Sequence, residues 1–216
     1  MEGNELVKSA LLLSGGMDSI AIAWWKKPDF AITLNYGQKA AAAEKMAAAA
    51  VCAELGITHY VVDVDCSALG SGDMAGSSAL TAAPASDWWP YRNQMLVTLA
   101  AMKAIVLGAE VLYIGTVSSD ENHRDGTKRF VELISELLSY QEGALRVEAP
   151  AISLSTVELV KLAEVSPGVI AWAHSCHKAN LPCGDCRGCN KYDASMFELG
   201  YACHVDQSDE GHSARS

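Results

Sequence analysis

Residues Ser9 to Ser19 read Ser-Ala-Leu-Leu-Leu-Ser-Gly-Gly-Met-Asp-Ser. Ser9 to Leu13 is a short apolar run that ends in a Ser-Gly-Gly turn, the pattern of a buried strand stopping at a tight bend. Asp18 to Trp25 reads as a helix that stops ahead of Pro28. In that order, the helix aims its free N–H groups and positive end at the carboxyl edge of the strand, where open parallel sheets bind ligands. Gly15 and Gly16 let the backbone approach an anion closely. Ser14 and Ser19 add hydroxyl donors, and Asp18 suits a magnesium ion or the orientation of the loop. The stretch lacks the Gly-Lys-Ser/Thr of a Walker loop and the spacing of a dinucleotide fingerprint. A glycine turn that holds no ligand is the alternative, and the complete Ser-Gly-Gly-x-Asp-Ser string at this edge weighs against it.

Outward from this stretch, Phe30 to Leu34 reads as a second strand. Ala40 to Leu55 reads as a helix, because alanine loses no side-chain entropy there, with Gly56 at its C-terminal cap. Tyr60 to Val64 is a third strand. Cys66 to Trp89 is a long Ser-, Gly- and Ala-rich connection, and loops of that length inside a compact domain are usually functional or mobile. A helix over Asn93 to Leu107 ends at Gly108, and Val111 to Gly115 is a fourth strand. Thr127 to Tyr140 is a helix, and Leu145 to Ala149 is a fifth strand stopped by Pro150. Ser155-Thr156-Val157-Glu158 has the spacing of a capping box, opening a helix to about Val165. The alternation implies an α/β fold: an open parallel sheet with helices on both faces.

Length and composition bound the rest. With 216 residues, half of them hydrophobic, one domain spanning 1–216 is expected; a single core serves up to about 250 residues. The net charge of −10 repels phosphodiester backbones, so general nucleic-acid binding is not expected, while a local basic pocket for one nucleotide is compatible with it. No apolar run of about 18 residues occurs, so no membrane span is expected. Met1 to Lys8 carries acidic residues and no apolar core; no secretory leader is expected, and a cytoplasmic location is.

Seven cysteines, an odd number, argue against a disulfide framework and for a reducing compartment with a metal site. Cys176, Cys183, Cys186 and Cys189 follow a Cys-x6-Cys-x2-Cys-x2-Cys pattern. Zinc takes four tetrahedral thiolates, and two-residue gaps place neighbouring thiolates on one ion. An iron–sulfur cluster or a redox pair would suit similar spacing. With four thiolates a zinc would be structural, a knot over 174–205 pinned beside the phosphate loop. His174 and His177 are expected at the surface or lining a pocket, since the ion would already be satisfied; Cys203 and His204 are weaker candidate ligands. Cys52 is expected in the core.

Taken together, these motifs resemble the 7-cyano-7-deazaguanine synthase (QueC) family of the PP-loop ATPase group, in the right order over most of the chain. Ser14 to Ser19 looks like its pyrophosphate loop. Asn35-Tyr36-Gly37-Gln38 is similar to its Asp-Tyr-Gly-Gln segment, Ser78-Ala79-Leu80-Thr81 to its Ser-Ala-Leu-Thr, and Tyr91-Arg92-Asn93 stands where it has Gly-Arg-Asn. Gly115 opens the loop that lines the base pocket in such proteins, and Ser175-Cys176 with the later cysteines fits the zinc site. The resemblance implies a PP-loop fold with a C-terminal zinc knot and the cofactors ATP, Mg2+ and Zn2+. It implies adenylation of 7-carboxy-7-deazaguanine, attack by ammonia to give an amide, and a second ATP-driven step to a nitrile. ATP would be held by Leu13, Ser14, Gly15, Gly16, Met17, Asp18, Ser19, Asn35, Tyr36 and Gln38. The substrate would meet Arg92, Asn93, Gly115, Asp120 and His123, with Asp18, Arg92 and Asp125 as catalytic residues. A homodimer is implied as well.

Beyond Asn35 and Tyr91, the chain departs from that pattern in three places. Thr116 to Asp125 replaces an Asn-Ala-Glu-Asp and a Tyr-Pro-Asp-Cys run, with Asp125 standing for the family aspartate. Ser153-Leu154-Ser155-Thr156 replaces Asp-Leu-Thr-Lys and lacks its lysine, and His174 replaces a tryptophan. These departures support a second reading. Similar proteins occur in antiphage defence operons, and one of them would pass the adenylated deazaguanine to a protein amine as an amide. A third reading, a nonenzymatic nucleotide-binding scaffold, conflicts with the intact phosphate loop. Thiolation of tRNA conflicts with the acidic surface and the lack of a basic stripe.

Overall fold

The computed structural model describes residues 7–201, and Cys203, His204 and the end of the 174–205 segment lie outside the described residues. Five parallel strands, β1 (Ser9–Leu12), β2 (Phe30–Asn35), β3 (Thr58–Asp63), β4 (Val111–Tyr113) and β5 (Arg146–Glu148), form one sheet in the order β3-β2-β1-β4-β5. Helices α1 (Met17–Lys26) and α2 (Ala41–Leu55) link the first three strands; α3 (Arg92–Val106) precedes β4, and α4 (Lys128–Tyr140) precedes β5. Helices α5 (Thr156–Leu162), α6 (Pro167–Ile170) and α7 (Arg187–Glu198) follow.

Period-two alternation divides the strands between two cores. Leu11 and Leu13 pack with Ile20 of α1, Val51 and Cys52 of α2, Leu159 of α5 and Ile170 of α6. Ala10, Ile32, Leu34 and Leu112 pack on the opposite face with Val97 and Ala100 of α3 and Ile134 of α4. Both faces are therefore covered, as the near-continuous apolar strands require. The α2 helix ends as its sequence dictates, with Gly56 left-handed at φ 68°. The capping box also forms: the Ser155 hydroxyl accepts from Glu158 N–H at 3.2 Å and the Glu158 carboxylate accepts from Ser155 N–H at 2.7 Å.

The chain leaves β1 toward β2 and leaves β4 toward β5, although β1 and β4 are neighbours. The loops at their carboxyl ends diverge and open a crevice, the usual ligand position in doubly wound sheets. Two differences from expectation bear on that crevice. The 66–89 connection is pinned by short 3-10 turns at Ser67–Leu69 and Asp73–Ala75, and by Trp89, buried edge-on against Tyr36 at 5.1 Å. The chain after Cys186 forms α7, which sequence periodicity did not announce because its exposed positions mix Asn190, Asp193 and Glu198 with Ala194 and Phe197. No helix among the described residues is long and apolar enough to cross a membrane.

Candidate active site

A cavity of about 290 Å³ occupies the crevice. It is lined by Ser14, Gly16, Met17, Asp18 and Ser19 from the phosphate loop, Tyr36 after β2, Arg92 and Asn93 at the start of α3, and Gly115, Asp120, His123 and Asp125 after β4. The structure thus gathers most of the positions expected for nucleotide and substrate around one space.

Leu13, Gly15, Asn35 and Gln38 do not line it, for separate reasons. Leu13 is fully buried in the core beneath the loop, and its carbonyl accepts from Thr33 Oγ1 at 2.7 Å. Gly15 (φ 77°) lies so close to α2 that a Cβ there would stand 2.5 Å from the Glu44 carbonyl oxygen. Asn35 donates to Asp63 Oδ1 at 2.7 Å, on the far side of β2. Gln38 is buried; its amide donates to the Leu34 carbonyl at 3.1 Å and to Glu44 Oε2 at 2.7 Å while its oxygen accepts from Tyr36 N–H at 2.9 Å. Gly15 and Gln38 shape the wall from behind, fixing the turn and Glu44.

At the phosphate loop, the Ser14 and Ser19 hydroxyls lie 3.1 Å apart, and Ser19 donates to the Gly16 carbonyl at 2.9 Å. No side chain caps α1, so its first-turn N–H groups lack a side-chain acceptor, as an anion site needs. Asp18 pairs with Lys191 Nζ at 2.8 Å, and Lys191 also reaches Asp120 Oδ1 at 3.3 Å. Burial raises the Asp18 pKa against the pull of Lys191. Its Oδ1 is buried without a well-aligned hydrogen bond, and the neighbouring Thr156 hydroxyl, in the same condition, works to lower the Asp18 pKa. A buried carboxylate oxygen without a well-aligned donor beside a phosphate loop fits a divalent cation. Gly115 brings the loop after β4 against this site; a Cβ on it would come 3.1 Å from Ser19 Cα.

The opposite wall is built on α3. Arg92 lies against the Met74 sulfur. Asp125 accepts from the Asn93 N–H at 3.4 Å, and Asn93 Nδ2 donates to the Asp125 carbonyl at 3.1 Å, so Asp125 also sits at the positive end of α3. Tyr91, which stands where the resemblance has glycine, is forced to φ 56°, a conformation costing a side-chain-bearing residue about 1–2 kcal/mol. Glu44 faces the cavity from α2; burial raises its pKa, with the Gln38 donor and Arg92 opposing.

Four charged lining residues are invisible to sequence reasoning: Glu44, Asp87, Arg187 and Lys191. Asp87 comes from the long connection and is buried between Arg187 (3.7 Å), His123 (3.7 Å) and His177 (3.2 Å), while Arg187 contacts His123 at 2.8 Å. The bond to His177 comes first in holding the Asp87 carboxyl well below the usual range. A depressed folded pKa means stability that is complete above the unfolded value and is lost as pH falls through the folded one. Asp87→Asn is therefore expected to cost about 1–3 kcal/mol at pH 7, a penalty that shrinks below about pH 4. Urea unfolding of both proteins from pH 3 to 7 checks this, and a penalty that stays constant across the range contradicts it.

The four cysteine sulfurs all lie within 4.8 Å of one another. Cys183 and Cys189 sulfurs are 3.9 Å apart and Cys176 and Cys186 sulfurs 4.0 Å. Around a single ion with bonds of about 2.3 Å, tetrahedral thiolates sit about 3.8 Å apart, so the residues fit one metal ion. Cys186 also accepts N–H groups from His177 and Cys189, both at 3.4 Å, and forms the N-cap of α7. Burial pushes the Cys189 thiol up to about 12; a bound cation reverses that preference. His174 and His177 line the cavity, and His174 N–H donates to the Gly15 carbonyl at 2.9 Å, tying this segment to the phosphate loop.

Comparison with known proteins agrees with this architecture. The family model described as queuosine biosynthesis protein QueC matches residues 8–200. The chain is 34% identical to 7-cyano-7-deazaguanine synthase of Thiobacillus denitrificans, over 89% of this chain and 94% of that protein. It is 30% identical to the synthase of Methanocaldococcus jannaschii, over 90% and 96%. Among solved structures it is similar to the U34-tRNA thiolase NcsA of Methanococcus maripaludis, with its [4Fe-4S] cluster. That similarity has a TM-score of 0.51 at 18% identity, covering 88% of this chain and 64% of that one, and it speaks to the fold alone.

Proposed function

This chain belongs to the QueC family, and from that membership we propose that it adenylates the carboxylate of 7-carboxy-7-deazaguanine with ATP and passes the acyl group to an amine. The carrying observation is the cavity that joins the Ser14-to-Ser19 loop to Arg92 and Asn93 at the sheet's switch point. A carboxylate oxygen attacks the α-phosphorus and the α–β bridge breaks, releasing pyrophosphate. The amine nitrogen then attacks the acyl carbon, AMP leaves with the oxygen, and the nitrogen gives up a proton. The α1 N-terminus and serine hydroxyls would hold the departing pyrophosphate, and Arg92 and Asn93 the acid being activated. Asp18 would hold magnesium, which spreads the developing phosphate charge. The close spacing of the four sulfurs supports a single zinc; four irons, each carrying one thiolate, would hold the sulfurs farther apart. A homodimer and a cytoplasmic setting belong to the same reading.

The altered Thr116-to-Asp125 loop supports a second reading, in which the reaction stops at an amide and the acceptor is a protein amine, as suits a defence role. Asp87, His123 and Arg187 tie that loop to α7, so its altered residues are held in the cavity wall. Dehydrating the amide needs a second ATP in a new pose, and a misplacement near 1 Å costs about 100-fold in rate. Incubation with the acid, ATP, magnesium and ammonia, with adenylate, amide and nitrile followed by mass spectrometry, is expected to show amide accumulating without nitrile. Efficient nitrile formation with no amide build-up would make the chain a complete synthase and remove the second reading.

A further inference from the structure

We propose that Lys191 is a phosphate-binding cation which the four-cysteine segment carries to the phosphate loop, so that metal retention and nucleotide binding reinforce each other; this rests on the adenylation reading above. Five lining carboxylates share the cavity with three permanent cations, Arg92, Arg187 and Lys191. A triphosphate adds further negative charge to that space and requires a cation at the loop. Arg187 is engaged by Asp87 and His123, and Arg92 is held against Met74 on the wall built by α3. Lys191 is the cation in contact with the loop itself, through Asp18. An ammonium carries three donors. Asp18 at 2.8 Å and Asp120 at 3.3 Å take two, and the side chain is 34% exposed, which leaves the third donor for a phosphate oxygen.

What holds Lys191 there is the metal segment. Lys191 lies just past Cys189, in the opening turns of a helix whose N-cap is Cys186. An ion on those two sulfurs fixes the turn and with it the lysine's approach. The His174 N–H bond to the Gly15 carbonyl at 2.9 Å joins the same segment to the loop from its other end. Binding linkage is reciprocal: if the metal places Lys191 for the nucleotide, the nucleotide must hold the metal more tightly.

The test uses the full metal-loaded chain and the variants Lys191→Gln and Lys191→Arg, each checked for unchanged metal content. Calorimetry should show ATP binding weakened about tenfold or more in Lys191→Gln, as expected for loss of a charge-assisted bond. Adenosine binding should be unchanged, and Lys191→Arg should restore much of the ATP affinity. Saturating ATP should slow the release of metal to a chromogenic chelator in the unaltered chain and not in Lys191→Gln. If Lys191→Gln binds ATP as the unaltered chain does, or ATP still protects its metal, this proposal is overturned and the adenylation reading stands. If the unaltered chain binds no ATP, both fall together.

Discussion

Cys186→Ser is expected to empty the metal centre and sharply lower the melting temperature. The serine retains an oxygen that can cap α7 in place of the sulfur accepting from Cys189 N–H, so the loss reports on the metal rather than on the cap. Metal binding energy at a four-thiolate site is folding energy, because the unfolded chain has no such cage. Even a loss of about 4 kcal/mol would lower Tm by about 8–16 °C in a chain of this size. The segment most affected carries Arg187 and Lys191 into the cavity and anchors Gly15 through His174, so ATP affinity should fall with the metal. Elemental analysis and calorimetry check both effects. One zinc per chain in the unaltered protein and none in the variant is the expected pair of results; unchanged metal content refutes the ligand set.

Gly15→Ala is expected to have the second largest effect. Two costs add there. The left-handed backbone at φ 77° costs a side-chain-bearing residue about 1–2 kcal/mol. The added Cβ would press to 2.5 Å from the Glu44 carbonyl oxygen and 3.2 Å from Ala47 Cβ, adding the overpacking penalty of about 1–3 kcal/mol. The loop must move off α2 to relieve this, so nucleotide binding should be lost as well. Gly56→Ala is the control. Gly56 has φ 68°, but a methyl added to it would meet nothing within 4 Å, so only the backbone cost applies. Urea midpoints for the two variants should differ by the overpacking penalty, and equal destabilisation contradicts the close approach.

How much of this was legible in the sequence follows from the range of each signal. The β1 strand, its glycine turn and the α1 start are local, and their residues dictate them without help from elsewhere. The capping box at Ser155 and the cap at Gly56 were legible for the same reason. The cysteine spacing carried the four-sulfur cluster because ligand gaps encode geometry. What escaped depends on tertiary approach. Asp87 sits in a Ser- and Ala-rich stretch with no periodic signal, and its place is set by contacts with His123, His177 and Arg187, all far along the chain from it. Lys191 escaped because α7 reads as a polar surface helix, and only its docking brings one lysine to Asp18. The resemblance showed a lysine missing at Thr156; the structure places Thr156 in the same cavity, with Lys191 supplying the cation at Asp18. Leu13, Asn35 and Gln38 came from the resemblance of whole segments, which does not say which way each side chain points; burial and hydrogen bonding turn theirs away from the cavity.

Adenylation is the central claim, and isotope transfer tests it most directly. The chain is incubated with 7-carboxy-7-deazaguanine labelled with 18O in the carboxylate, together with ATP, magnesium and ammonia, and the released nucleotide is analysed by mass spectrometry. Attack of the carboxylate oxygen on the α-phosphorus, followed by cleavage of the acyl C–O bond, predicts one 18O in AMP and none in pyrophosphate. Release of ADP, or AMP that carries no label while amide is formed, would contradict the account.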